Sequence, residues 1–150
     1  MMLKGSCLCG GVRFEATGMH SKIGICHCSK CRKCSGSGSA AGIKIGAEGV
    51  RWIAGQGLLT AGPKHSFCRV CGSPMPDLIA RKTLYEIPVG CLDDNPTLLV
   101  GDHIFVASKA SWDVIGADGA PQYEEGGPPL LRDQVNGAGA EVLAGPEGRG

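Results

Sequence analysis

Three thiols lie close together in the segment 26–31, which reads Cys-His-Cys-Ser-Lys-Cys. Two thiol pairs flank this segment, Cys7 with Cys9 upstream and Cys68 with Cys71 downstream. Thiols this close in sequence cannot form a disulfide framework that closes long loops, but they can converge on one metal ion. Zinc takes four protein ligands in structural sites, and three plus water or substrate in catalytic sites. The spacing therefore predicts two zinc ions per chain.

The two outer pairs predict a structural site. Cys7 and Cys9 together with Cys68 and Cys71 would supply four sulfurs and join distant parts of the chain. Gly72 follows the second pair directly, and glycine allows the backbone to curl its N–H groups toward sulfur. An iron–sulfur cluster uses the same ligands, but the sequence carries no redox partner motif. We therefore expect a closed zinc site here.

The middle cluster leaves three interpretations open. In the first, Cys26, Cys28 and Cys31 hold zinc and a water molecule occupies the fourth position, which predicts a catalytic centre. In the second, Cys34 supplies the fourth thiolate, because it lies at a chelating distance after Cys31 in the sequence. In the third, the thiols carry no metal and are redox-active. The spacing does not decide which way Cys34 points.

Composition limits the fold and the class of protein. The 150 residues suffice for one domain, and 25 glycines and 9 prolines favour short strands and turns over long helices. Aromatic residues are few, so zinc is expected to stabilise a small, mainly β domain. The net charge is +1 and no run of Lys or Arg exceeds two residues, which does not indicate a nucleic-acid surface.

The sequence also carries an expectation about location. The first residues form no apolar signal region, and no stretch approaches the length of a membrane span. Nine cysteines, an odd number, then indicate reduced thiols and metal ligands rather than complete disulfide pairing. We expect a cytoplasmic protein that does not enter the membrane.

The predicted elements place the thiol clusters on strand ends and turns. Residues 133–150 are rich in Gly and Ala without periodicity, so a domain at 1–132 and a loosely ordered tail at 133–150 are predicted. Pro88 lies within a predicted strand and favours an edge or a bulge there. A helical turn is predicted at 29–35, and short strands are predicted at 12–16, 21–25, 40–45, 50–53, 84–89 and 103–106.

The order of these motifs resembles a known family. Cys-x-Cys, then Cys-His-Cys-x-x-Cys-Arg, then Phe-Cys-x-x-Cys-Gly-Ser-Pro are similar to the glutathione-dependent formaldehyde-activating enzyme family, whose domain is shared with centromere protein V. Gly-Cys-Leu-Asp-Asp at 90–94 and His-Ile-Phe-Val at 103–106 agree with it. The resemblance covers about residues 3–130.

The resemblance implies a fold, two zinc sites and an activity. The fold would be the small zinc-containing β architecture called Mss-four-like. The activity would be condensation of glutathione with formaldehyde to S-(hydroxymethyl)glutathione, formally a carbon–sulfur lyase reaction in reverse. The alternative is a non-catalytic, zinc-stabilised binding module in which both metal sites are structural. By the resemblance, the structural zinc belongs to Cys7, Cys9, Cys68 and Cys71, and the catalytic zinc to Cys26, Cys28 and Cys31.

Basic residues adjoin the middle cluster. Lys30, Arg32 and Lys33 could offset the negative charge of a zinc–thiolate centre, and Arg32 and Lys33 are candidates for binding the glutathione carboxylates. The alternative is that they are solvated surface residues.

Several other residues have plain structural interpretations. His27 is expected to point away from the metal of its neighbours, with a packing or hydrogen-bonding role. His65 is predicted to lie on a strand surface, and Cys91 to be a small buried residue. Trp112 is predicted to pack in the core or at a sheet edge, with a place in a ligand cleft as the alternative.

Overall fold

The computed structural model describes residues 1–62, 65–79 and 83–127, together with the backbone of 130–131 and 142–143. In this part of the chain one α-helix, α1 (Ser29–Ser35), accompanies thirteen short strands, so the prediction of a mainly β fold with little helix is confirmed. The strands are β1 (Met2–Ser6), β2 (Arg13–Thr17), β3 (Ile23–Cys26), β4 (Ala40–Gly46), β5 (Val50–Ala54), β6 (Leu59–Ala61), β7 (Ser66–Cys68), β8 (Pro74–Met75), β9 (Asp77–Ile79), β10 (Leu84–Pro88), β11 (Val100–Ile104), β12 (Leu130–Leu131) and β13 (Val142–Leu143).

The strands form small sheets. The largest has the order β11-β3-β4-β10-β9 and is antiparallel except for the pair β11 and β3. One three-stranded antiparallel sheet has the order β1-β2-β5, and another has the order β6-β7-β8. β12 pairs with β13. Cys7 follows β1 and Cys68 ends β7, so the outer thiol pairs lie where strands of two sheets end, whereas the middle thiols lie at the end of β3 and on α1.

A compact apolar core joins the sheets. Phe14 of β2 is almost completely buried, and its ring meets that of Trp52 edge-on with centroids 5.8 Å apart. Trp52 in turn donates its indole N–H to the Tyr85 hydroxyl at 3.3 Å, which links β5 to β10. Further buried apolar side chains lie in or directly beside the strands of these sheets: Leu3, Val12, Ala16, Ile43, Ile45, Met75, Leu84 and Ile87.

The sequence predicted most of the central elements. The helical turn at 29–35 is confirmed as α1, and each of the six predicted strands overlaps an observed one. β1 was not predicted, because Gly5 in its sequence suggests a turn. A Cβ atom at Gly5 would lie 2.3 Å from the Phe14 ring, so the strand keeps glycine to admit that ring.

The prediction of an edge or bulge position at Pro88 is correct for the residue, which has no partner on β9, but its strand is not an edge strand. β10 lies inside the five-stranded sheet, between β4 and β9. The proline is tolerated because β9 pairs only with Leu84–Glu86. Pro88, at the end of β10, therefore has no partner on β9 that would need a backbone N–H donor.

The predicted tail at 133–150 lies outside the described residues except for Val142–Leu143, which form β13. Among the described residues there is no helix that is both long and apolar enough to cross a membrane.

Candidate functional site

The two outer thiol pairs meet in space. The sulfur atoms of Cys7, Cys9, Cys68 and Cys71 all lie within 4.8 Å of one another, with 3.5 Å between the sulfurs of Cys7 and Cys9 and 4.0 Å between those of Cys9 and Cys68. Four sulfurs bound tetrahedrally at a zinc–sulfur distance of about 2.3 Å stand roughly 3.8 Å apart. These four thiols, called the four-cysteine cluster below, can therefore hold one metal ion.

Two similar turns present these sulfurs. After β1, the Gly10 N–H donates to the Cys7 carbonyl at 2.8 Å, and after β7 the Gly72 N–H donates to the Cys68 carbonyl at 2.7 Å. Both glycines have positive φ, 72° and 75°, which other residues rarely adopt. The turns depend on glycine directly after Cys9 and Cys71, as the sequence motif predicted for Gly72.

Hydrogen bonds favour the thiolate form in part of the cluster. The Ser73 hydroxyl, 3.3 Å from the Cys71 sulfur, leads the interactions that lower the pKa of Cys71 to about 5. Burial alone would raise the pKa of Cys7, but the Val12 N–H and the thiols of Cys9 and Cys68 lower it. The Gly11 N–H favours the Cys9 thiolate, yet the adjacent sulfurs raise its pKa to about 11. A cation would relieve this mutual repulsion.

The middle thiols form a second group, called the three-cysteine cluster below. The sulfurs of Cys26, Cys28 and Cys31 lie within 4.8 Å of one another. Cys26 ends β3, Cys28 is the N-cap of α1, and Cys31 lies in the first turn of the helix. The Cys28 sulfur accepts the Cys31 N–H at 3.4 Å and so caps the helix. This cluster, too, can hold a metal ion.

Cys34 does not belong to the three-cysteine cluster. It follows Cys31 by nearly one helical turn, which carries its side chain roughly 4.5 Å farther along the axis of α1. There it lines an open cavity of about 200 Å³ together with His65, Phe67 and Pro74. The Nδ1 atom of His65 is buried and has no hydrogen-bond partner among the described residues. The structure thus brings together three of the four middle thiols.

A histidine pair lies directly behind the three-cysteine cluster. His27 Nε2 is 2.9 Å from His103 Nδ1, and His103 Nε2 is 2.9 Å from Asp118 Oδ2. His27 Nδ1 lies 3.5 Å from Asp113 Oδ2. Both histidines are buried, with 2% and 4% of their surface exposed. The sequence predicted that His27 turns away from its neighbours' sulfurs, but nothing in it identified His103 or the aspartates as partners.

The local charges set the protonation of this group. Burial, followed by the nearby His103 ring, lowers the pKa of His27 against the opposing effect of Asp113. The hydrogen bond from His103 lowers the pKa of Asp118. At neutral pH, His27 is therefore neutral and Asp118 is a carboxylate.

The other candidate residues differ in their placement. Lys30 and Lys33 are exposed on α1, whereas Arg32 is half-buried and its Nε has no hydrogen-bond partner among the described residues. Cys91 is buried as predicted, and burial raises the pKa of its thiol to about 12. The prediction that Trp112 packs in the core or at a sheet edge is wrong, because 70% of its surface is exposed.

Comparisons with known proteins find relatives of this chain. A Halomonas elongata protein, provisionally named a glutathione-dependent formaldehyde-activating enzyme, is 34% identical over 87 residues. That match spans 50% of this chain and 55% of the relative, so it covers about half of the relative's length. A crystal structure of a Rhodobacter sphaeroides protein aligns with a TM-score of 0.47 and 27% identity, over 62% of this chain and 91% of that one.

The family model of the glutathione-dependent formaldehyde-activating enzymes matches residues 2–108, which include both cysteine clusters. The match extends over more than half of the 150 residues. The chain therefore belongs to the glutathione-dependent formaldehyde-activating enzyme family.

Proposed function

We propose that this chain is a zinc-dependent enzyme that condenses glutathione with formaldehyde or a related aldehyde, a carbon–sulfur lyase-type reaction in the direction of synthesis. The observation that carries the proposal is the difference between its two clusters. Four sulfurs meet in one and three in the other, while Cys34 lines a separate cavity. Four thiolates complete a structural zinc site, whereas three leave one coordination position for a substrate.

The residues present fit zinc at both clusters. All their donors are thiols, the ligands that structural zinc favours, and the separations of at most 4.8 Å suit a common ion after small adjustments. We assign one zinc to the four-cysteine cluster and a second to Cys26, Cys28 and Cys31. When bound at the second cluster, zinc would keep the sulfur of a thiol substrate in its thiolate form.

The reaction itself needs few groups. A carbon–sulfur bond forms between glutathione and the carbonyl carbon, the carbonyl π bond breaks, and the proton lost by the thiol ends on the new hydroxyl oxygen. No oxidant or reductant is required. The chain's main contribution would be to hold both reactants together, because positioning lowers the entropic part of the barrier.

Arg32 is the side chain best placed to bind a glutathione carboxylate. It lies on α1 directly after Cys31, and its buried Nε has no hydrogen-bond partner among the described residues. A guanidinium also matches a carboxylate with two parallel hydrogen bonds. Lys33 is exposed on the same helix and would add a weaker, solvent-screened attraction.

The proposed activity can be measured at equilibrium. Two-dimensional exchange NMR with ¹³C-formaldehyde reports the rate at which formaldehyde and its glutathione adduct interconvert, with and without the chain. We expect the chain with two bound zinc ions to accelerate this exchange. No acceleration by a chain that holds two zinc ions would favour the non-catalytic binding module. Acceleration with other thiols but not with glutathione would contradict the assigned substrate.

Replacing Arg32 with glutamine should raise the KM for glutathione about tenfold, the amount that one charge-assisted hydrogen bond contributes. kcat at saturating glutathione should change little, because the carboxylate lies away from the reacting sulfur. Initial rates at varied glutathione measure both constants. The matched control is Arg13→Gln, on the exposed side of β2. An unchanged KM in Arg32→Gln would assign Arg32 to solvated surface.

The absence of disulfides among the cysteines also bears on the cellular compartment of the protein. All nine cysteines lie among the described residues and none forms a disulfide. A reducing compartment keeps such thiols available to zinc, and the cytoplasm is the compartment we assign to the protein.

A further inference from the structure

The hydrogen-bonded chain behind the three-cysteine cluster has no place in the reaction described above. It runs from His27 through His103 to Asp118, with 2.9 Å at each link. We propose that His103 and Asp118 are positioning residues, which act through His27 to hold the sulfurs of Cys26 and Cys28 in the geometry that binds metal. This inference rests on the proposed function, because it requires a metal at that cluster.

The position of His27 makes the coupling direct. It lies between Cys26 and Cys28, and Cys28 has extended backbone angles, φ −65° and ψ 156°. Along extended backbone, side chains alternate, so the ring of His27 faces away from the two flanking thiols. The His27 N–H also donates to the Ile104 carbonyl at 3.0 Å. One hydrogen bond to the ring and one to the backbone therefore hold His27 in place, and with it the backbone that carries the two flanking thiols.

The direction of every hydrogen bond in the chain follows from Asp118. A carboxylate only accepts, so His103 must carry its proton on Nε2. With that proton on Nε2, His103 can accept a hydrogen bond at Nδ1 from His27 Nε2. Without Asp118, His103 could adopt the other tautomer and present a proton to His27 Nε2. Asp118 therefore orients the His103 ring and, through it, the Nε2 side of His27, whose Nδ1 faces Asp113.

Asp118 is itself held by its own loop. Its Oδ1 accepts the Ala120 N–H at 3.0 Å, while Oδ2 receives the bond from His103. The preceding segment approaches the cluster from the same side, since Asp113 contacts His27. A Cβ atom on Gly38 would lie 2.5 Å from Asp113 Cγ, so this close approach requires glycine there. The loop therefore contacts both histidines and the backbone at Gly38.

Partners that orient a metal site from behind typically change its affinity by about 10- to 100-fold. Here the two clusters of one chain provide an internal comparison. Disrupting the histidine chain should weaken metal binding at the three-cysteine cluster and leave the four-cysteine cluster unchanged. A general loss of stability would weaken both.

The test uses the full chain loaded with two equivalents of ¹¹³Cd²⁺, a thiolate-binding ion that gives one NMR resonance per site. Titration with EDTA then measures the loss of each resonance separately. In Asp118→Ala, we expect the resonance of the three-cysteine cluster to disappear at about tenfold lower EDTA than in the wild type. The resonance of the four-cysteine cluster should titrate as before. Asp118 is partly exposed, so this variant is expected to fold.

Two further variants sharpen the result. Asp118→Asn keeps an acceptor oxygen without the charge and should fall between the wild type and Asp118→Ala. Asp94→Ala makes the same change on an exposed loop and should behave as the wild type. Equal weakening of both resonances in Asp118→Ala, or no weakening, would overturn the inference while leaving the proposed function standing. A wild-type chain that binds cadmium at the four-cysteine cluster alone would overturn both.

Discussion

Replacing Cys28 with serine is expected to slow the exchange between formaldehyde and glutathione by more than about 100-fold while the chain stays folded. Cys28 is one of only three sulfurs in its cluster. Replacing a residue that only orients a metal ligand typically lowers metal affinity or activity by about 10- to 100-fold. Loss of a ligand itself should therefore lower the exchange rate by more than that. The fold should persist because serine is itself a good N-cap and can accept the Cys31 N–H that Cys28 now accepts. Exchange NMR measures the rate, and far-UV circular dichroism measures the fold.

Cys34→Ser is the matched control for this prediction. It removes a thiol from the same helix, but one that lines the separate cavity instead of the three-cysteine cluster. We expect it to retain two zinc ions and most of the exchange rate. If Cys34→Ser lost the second zinc or changed the ligand spectrum of a cobalt-substituted chain, Cys34 would be a fourth ligand. The open-site mechanism would then fail.

Which cysteines group together within each short motif could be predicted from the sequence, because residues close in sequence remain close in space. Cys26, Cys28 and Cys31 lie on a strand end and the first helical turn, so local geometry alone keeps their sulfurs together. The same holds within each outer pair. The meeting of those two pairs was a stronger prediction, which rested on the four ligands that a structural zinc site takes, and the four sulfurs do lie together.

The histidine chain could not be anticipated, for the opposite reason. His27 and His103 are 76 positions apart, and they meet only because β11 pairs in parallel with β3 and places His103 beside Ile25. A parallel pairing between two short strands leaves no local sequence signal. The prediction for Trp112 was wrong for a similar reason. Its large apolar ring suggested burial, but the loop that carries it exposes the ring to solvent.

Replacing Cys68 with serine is expected to impair folding itself. Cys68 is completely buried at the end of β7, and its sulfur lies 4.0 Å from that of Cys9, 59 positions earlier in the chain. Structural zinc contributes about 10–16 kcal/mol in small zinc domains, and a whole domain is stable by only about 5–15 kcal/mol. Losing one of four ligands should therefore lower the free energy of unfolding by about 4 kcal/mol or more. Urea denaturation followed by circular dichroism measures this change.

The contrast between the two substitutions tests the division of labour between the clusters. Cys91→Ser controls for the loss of a buried thiol: its sulfur donates to the Pro88 carbonyl at 3.0 Å, and a serine hydroxyl can do the same. It should cost no more than about 1 kcal/mol. If Cys28→Ser destabilised the chain as much as Cys68→Ser, both metals would be structural. If Cys68→Ser folded normally with one zinc, metal binding at the four-cysteine cluster would not be what stabilises this domain. One structural and one reactive site are supported only if Cys28→Ser is stable and Cys68→Ser is unstable. The chemical change is the same in both variants, so a different outcome must come from the cluster in which the cysteine lies.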